Sequence, residues 1–224
     1  MYKNCGMSPL PDVNLWSSPE HALEYLQRAD SIPRRVEGET TLLEFIPRTA
    51  NRILDLGTGD GRLLELVRTA CPNAEFVAID FSPAMLGAAE KRFSGVKNVT
   101  IVAHDFATGL PVLGLFDCIV SSFAIHHVHH DRKRSLYSEI FDALLPGGVF
   151  CNLEHVSSPT LRLHHQFLEK LHVSPEQEDP SNKLLDLETQ LAWLREIGFV
   201  DVDCHWKWRE LALMAARKPS EPVG

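Results

Sequence analysis

Ile53-Leu54-Asp55-Leu56-Gly57-Thr58-Gly59-Asp60-Gly61-Arg62-Leu63-Leu64-Glu65-Leu66-Val67 is the stretch that decides the fold. An apolar run interrupted by one acid gives way to glycines at alternate positions, and then to apolar residues at helical spacing. This reads as a strand, a tight turn and a helix. Glycine tolerates positive φ and lets a ligand approach the main chain. The following helix start offers unpaired N–H groups. The turn is therefore a candidate ligand cradle, with an ordinary strand–helix turn as the alternative. A dinucleotide fingerprint needs G-x-G-x-x-G, but Arg62 occupies its last position. A phosphate-binding loop needs a Lys after its final Gly, and none follows. The pattern present is D-x-G-x-G-x-G.

The flanking segments add to it. Glu75-Phe76-Val77-Ala78-Ile79-Asp80 reads as a second strand ending in an acid, about 20 residues beyond Gly59, where nucleotide folds place the carboxylate that takes ribose hydroxyls. Val99 to Phe106 is a third strand ending in Asp105-Phe106, and Phe116 to Ser122 a fourth ending in Ser121-Ser122. Leu144-Leu145-Pro146-Gly147-Gly148 closes a helix and opens a fifth strand. Together these elements, in this order, resemble the class I S-adenosylmethionine (SAM) methyltransferases over roughly residues 50–217, with the small-molecule "type 11/12" group as the best match. The resemblance implies a Rossmann-like, doubly wound, mostly parallel seven-stranded α/β sheet with a C-terminal antiparallel hairpin. It implies SAM as cofactor and S-adenosylhomocysteine as product. It also implies a cofactor site of Asp55, Gly57, Thr58, Gly59, Gly61, Asp80, Phe81, Met85, Asp105, Phe106, Ser121 and Ser122, with Asp105 facing the adenine amino group.

Alternating strand and helix signals from residue 52 to 154 support parallel strands covered on both faces. The near-continuous apolar strands agree. Ligands bind such sheets at the carboxyl ends of the strands. Residues 1–50 read as an irregular tail followed by helices near 18–30 and 34–46, forming a helical lid. Residues 51–217 form the cofactor domain, with 155–185 a helical insertion on the substrate side, and 218–224 a disordered tail. Val200, Val202, Cys204, Trp206 and Trp208 share one parity, as in a half-exposed strand. The two tryptophans are expected to pack against a helix. Leu211–Ala216 reads as the buried partner strand.

The chain has 224 residues, 44% of them hydrophobic, and a net charge of −8. This supports one α/β domain with a full core and argues against a dedicated nucleic-acid binder. Arg34-Arg35 and Arg132-Lys133-Arg134 read as solvated helix termini. Five dispersed cysteines without a C-x-x-C suggest a reducing, cytoplasmic setting. No apolar run reaches membrane-spanning length. The expected partner is a small molecule, with a homodimer left open and neither membrane nor nucleic acid expected.

For chemistry, His126 and His127 follow the fourth strand, and Glu154 and His155 follow the fifth. All four stand on the rim where an acceptor would meet the methyl group, and histidine near neutral pH suits a general base. The rate is expected to rise with pH through a group near the ordinary imidazole value. A metal at His165, Glu169 and His172 together with Glu154 and His155 is the disfavoured alternative, and no metal is expected. Ala29-Asp30-Ser31-Ile32-Pro33 is similar to the R-S-I-P-G-Y segment of the tRNA-modifying carboxy-SAM synthases, where it forms a lid over the cofactor. Here Arg34-Arg35 stands in place of Gly-Tyr. The activity expected is methyl transfer to O, N or C of a small molecule. The alternatives are a carboxy-SAM synthase using prephenate and a non-catalytic SAM-binding module.

Overall fold

The structure, a computed structural model, describes residues 15–28 and 32–220. The expected tail before residue 15, Ala29, Asp30 and Ser31 of the Ala29–Pro33 segment, and residues 221–224 lie outside the described residues. The strands are β1 (Arg52–Leu56), β2 (Glu75–Asp80), β3 (Val99–Ala103), β4 (Phe116–Ser122), β5 (Leu144–His155), β6 (Val200–Trp208) and β7 (Leu211–Arg217). They form a single sheet in the order β3-β2-β1-β4-β5-β7-β6. β1 to β5 pair in parallel, and β7 enters antiparallel between β5 and β6. The helices are α1 (Pro19–Arg28), α2 (Arg35–Phe45), α3 (Arg62–Ala70), α4 (Pro83–Arg92), α5 (His130–Ala143), α6 (Leu161–Leu171) and α7 (Leu187–Ile197).

The period-2 alternation sorts the strand side chains into two cores. Ile53, Phe76, Ala78, Cys118, Val120, Cys151 and Leu153 enter one, with Leu42 of α2, Leu63 and Leu64 of α3 and Phe167 of α6. Leu54, Leu56, Val77, Ile79, Ile119 and Phe150 enter the other, with Leu136 and Ile140 of α5 and Leu194 of α7. Phe116 breaks the parity of β4 and joins the second core, because the β4–β5 register shifts between Phe116 and Cys118. Both cores are continuous, as a doubly covered sheet requires.

Two features position the site. Strand order reverses between β1 and β4, which opens a crevice at their carboxyl ends. On the opposite side of the sheet, α2 lies so close that a Cβ on Gly38 would stand 2.8 Å from Leu153 Cδ1 and 3.0 Å from Trp206. Trp206 therefore packs on α2, and Trp208 meets Phe167 of α6 at 6.0 Å between ring centroids.

Three expectations need correction. Arg35 is not solvated but 6% exposed, and Lys133 is fully buried, because each has a specific acceptor within the fold. Only Arg34 and Arg134 of the two basic clusters behave as surface charges. Lys218, the first residue of the expected tail, is fastened to the domain. Lys218 N–H donates to Gly148 O, and its ammonium donates to Phe141 O and Leu144 O.

Candidate active site

At the crevice, β1 runs into the glycine turn. Gly57, Gly59 and Gly61 have φ of 70°, 56° and 83°. Gly57 also has no room for a side chain, since a Cβ would lie 2.2 Å from that of Ala124. Gly57 and Thr58 donate N–H to Ile79 O, which ties the turn to β2. Asp80 closes the arrangement, with Oδ2 accepting the Gly59 N–H at 2.9 Å and Oδ1 that of Ser82 at 2.9 Å. The turn and the end of β2 are thus one rigid piece.

Around it lies a cavity lined by Asp55, Gly57, Thr58, Gly59, Asp80, Phe81, Met85, Asp105, Phe106 and Ser122 of the expected cofactor set. Gly61 and Ser121 do not line it. Gly61 is the N-cap of α3, packed so that a Cβ would meet Phe93 at 2.4 Å. Ser121 is buried and donates its hydroxyl to Leu56 O. The wall also includes Trp16, Asp60, Arg62 and Arg35, which sequence reasoning missed. Arg35 and Arg62 both pair with Glu39, at 2.8 and 2.9 Å, and Glu39 is 2% exposed. The spacing of Arg35 and Glu39, one helical turn apart, was the available signal.

The residues fit a polar ligand with hydroxyl and ammonium donors. Asp55 Oδ1 and Ser122 Oγ are shut off from solvent and have no hydrogen-bond partner among the described residues. Burial raises the Asp55 carboxyl to about 7, against the opposing hydrogen bond from Thr58. Burial also raises Asp80, despite the backbone N–H groups that favour its anion. A donor-rich ligand would satisfy both acids.

A second cavity adjoins the first, and the two share Trp16, Phe123 and His127. Phe123 has φ 52°, an uncommon backbone state for a bulky residue. It turns the chain from β4 into a short 3-10 segment, Ile125–His127. His126, 6% exposed, lines the second cavity, and its Nδ1 lies 2.7 Å from Glu154 Oε1. Glu154 also accepts the His155 N–H and is neighboured by Asn152. Burial lowers His126 well below the ordinary imidazole value, with His155 and Lys133 adding to the effect. Burial raises Glu154, while Lys133 opposes. His127 is likewise lowered well below the imidazole range by burial and by His126.

Of the four rim candidates, His126 and Glu154 therefore form one unit. His127 stands at the junction of the cavities, with Nδ1 near Ser181. His155 lines the second cavity but gives its Nε2 to Glu210, at 3.0 Å. The alternative metal set does not converge. His165 and Glu169 are exposed, and His172 is the α6 C-cap, at φ 56°. It is His164 that turns inward, to Glu210 at 3.1 Å and Glu178 at 3.1 Å. No group of three or more potential metal ligands occurs among the described residues.

A methyltransferase-domain model matches residues 53–148, from β1 into β5. The carboxy-SAM synthase of Desulforapulum autotrophicum is 29% identical over 211 residues, covering 86% of this chain and 83% of its own length. The N-methyltransferase NodS of Bradyrhizobium japonicum, in complex with S-adenosylhomocysteine, superposes with a TM-score of 0.68 at 19% identity, covering 92% of this chain and all of NodS. Human N-acetylserotonin methyltransferase with SAM gives 0.68 at 20% identity over 92% of this chain, but the chain spans only 58% of that protein. Residues 53–148 thus match a methyltransferase domain, and the fold is that of the SAM-dependent methyltransferases among these solved neighbours. The seven-stranded sheet with its reversed β7 is the fold expected of that class.

Proposed function

We propose that the protein moves the methyl group of SAM to a heteroatom of a small molecule held in the second cavity, with His126 as general base and Glu154 as its orienting partner. The observation that carries this is the 2.7 Å His126–Glu154 contact in the wall of a cavity continuous with the cofactor cavity. When bound, SAM supplies a methyl on a sulfonium, which is displaced in line as the sulfur keeps the bonding electron pair. The residues do the rest. Asp80 takes the ribose hydroxyls, Asp105 faces the adenine amino group, and the glycine turn lets the methionine end approach the backbone. Met85, Phe81 and Phe106 give the apolar walls. Glu154 accepts a hydrogen bond from Nδ1–H, which leaves the Nε2 lone pair to take the acceptor's proton as the new bond to carbon forms. The imidazolium produced is held by the same carboxylate. Much of the rate then comes from alignment.

A carboxy-SAM synthase is the second reading, favoured by relatives such as that of D. autotrophicum. A prephenate-like donor is a dianion, yet no Lys or Arg lines the second cavity among its described residues. Arg35 and Arg62 of the cofactor cavity are both engaged by Glu39. The net charge of −8 supports a non-nucleic-acid partner. The cysteines, unpaired among the described residues, fit a cytoplasmic location. No helix among the described residues is long and apolar enough to cross a membrane. Mass spectrometry of SAM incubated with hydroxylated or amine acceptors, and separately with prephenate, tests the assignment. Acceptor-dependent S-adenosylhomocysteine is the result expected. A cofactor heavier by a carboxylate selects the second reading. Tight SAM binding without turnover leaves the non-catalytic one.

A further inference from the structure

The lining of the second cavity combines two characters. Phe123, Phe167, Leu168 and Leu171 are apolar. Glu24 of α1 and Glu176, Glu178 and Asp179 of the segment after α6 are acidic. Glu178 is balanced by His164, and Asp179 faces His21 at 3.3 Å. Glu24 and Glu176 have no ion-pair partner among the described residues, and both are exposed. His126 lines the same cavity, more than nine-tenths buried, with its Nδ1 engaged by Glu154. A lining of net negative charge with apolar, partly aromatic surface attracts a cation and repels an anion. Trp16, which meets His21 and His127 at 5.0 Å, adds an aromatic face for a cation to rest on.

We propose that the acceptor is a cationic small molecule: an apolar body of aromatic size that lies over Phe123, Phe167 and Leu171, carries a protonated amine toward Glu24, Glu176 and Asp179, and turns the group to be methylated toward His126. This rests on the methyl-transfer reading of the same site, and it adds the charge of the substrate. It also explains why a carboxylate donor suits the cavity poorly.

The test separates the two claims by reading binding apart from turnover. The full chain, saturated with S-adenosylhomocysteine, is titrated calorimetrically with three phenols that differ only in their tail: tyramine, 4-ethylphenol and 3-(4-hydroxyphenyl)propionate. Tyramine should bind about tenfold more tightly than the propionate, a difference of about 1.4 kcal/mol, with 4-ethylphenol between them. The gap should narrow in high salt and in the Glu24→Gln, Glu176→Gln double variant. Those residues are exposed, so unchanged affinity for S-adenosylhomocysteine will report an intact fold. Equal affinities, a reversed order, or binding by none of the three overturns the proposal. Turnover is measured separately with SAM. If the affinity order holds and no phenol is methylated, the cationic preference stands and the base-assisted reading falls. If the propionate is methylated faster than tyramine, methyl transfer stands and the cationic preference falls.

Discussion

The glycine-turn cavity and the second cavity are made differently. The first draws mostly on one stretch, residues 55–128, and its key parts are backbone geometry and strand-end carboxylates. The second is assembled from side chains scattered from Leu15 to Leu211. The first is rigid because each part is tied to a neighbouring strand, as Gly57 and Thr58 are to β2. The second depends on contacts between segments far apart in sequence, such as His126 with Glu154 and His155 with Glu210. One half of the molecule is specified locally and the other only through the tertiary fold, so perturbations of the two halves should give separable signatures.

The largest effect is expected on the acceptor side. His126→Ala should lower the turnover number about 10²–10⁴-fold, the usual size of a general-base contribution. SAM affinity, measured by calorimetry, should stay as in the wild type. Parallel losses of affinity and rate would mean that the cavities are not separable in this way. Next comes Asp80→Ala, on the cofactor side, which should weaken SAM binding by about 1.5–3 kcal/mol, the range for a hydrogen bond to a charged group. Here it is affinity that falls. Unchanged affinity would remove Asp80 from the site.

The pH profile sharpens the comparison, and the burial of His126 changes what is expected of a histidine base. Burial lowers His126 well below the imidazole value, so the base is already neutral at pH 6.5. The rate should be flat from about pH 6.5 to 8, against an ordinary imidazole value of about 6.5. It should fall only under more acidic conditions, where His126 takes up a proton. A limb centred near 6.5 in the kcat profile would show that solvent reaches His126 more freely than its burial implies.

How far these sites could be read from sequence follows the same division. The glycine turn, Asp80 and Asp105 were legible because spacing along the chain equals proximity in a βαβ unit. The period-2 pattern gave the strands for a similar reason, since it is a local property of the pleat. The pairing of His126 with Glu154 was legible only in part: both fell on the rim, but no short-range rule joins residues on two different strands. Arg35 and Lys133 were misread because a charged residue in sequence looks solvated until its buried partner is known. For Arg35 that partner is Glu39, and for Lys133 the carbonyl of Lys183. His164 was overlooked in favour of His165 because a shift of one residue rotates a helix position by about 100°.

Two smaller effects complete the set. Gly38→Ala should cost about 1–3 kcal/mol by overpacking, because the new methyl meets Leu153 and Trp206. That exceeds the roughly 0.5–1 kcal/mol gained from replacing a helical glycine, so the melting temperature should drop. A rise would mean that α2 can move away from the sheet. The smallest effect concerns Asp55, whose carboxyl is raised to about 7 by burial. Its raised value favours the folded protein below the unfolded carboxylate range, and that contribution is lost as pH rises through about 7. If SAM brings a cationic group beside Asp55, binding at pH 6.5 should release a fraction of a proton. Calorimetry in buffers of differing ionisation enthalpy would detect it, and Asp55→Asn should abolish it.

The Lys183 N–H donates to His126 O at 2.8 Å, and the buried Lys133 ammonium holds the Lys183 carbonyl from beneath. The segment that carries Glu176, Glu178 and Asp179 is thus fastened to the turn that carries the proposed base. This makes a modular joint. Residues 174–182 can change in length and charge, and with them the range of molecules admitted, while the fastening at Lys183 keeps each new version in register with His126. Substrate range can drift without the catalytic turn being rebuilt each time. Transplanting this segment between relatives should therefore transfer acceptor preference as a single block, provided the Lys183 anchor travels with it.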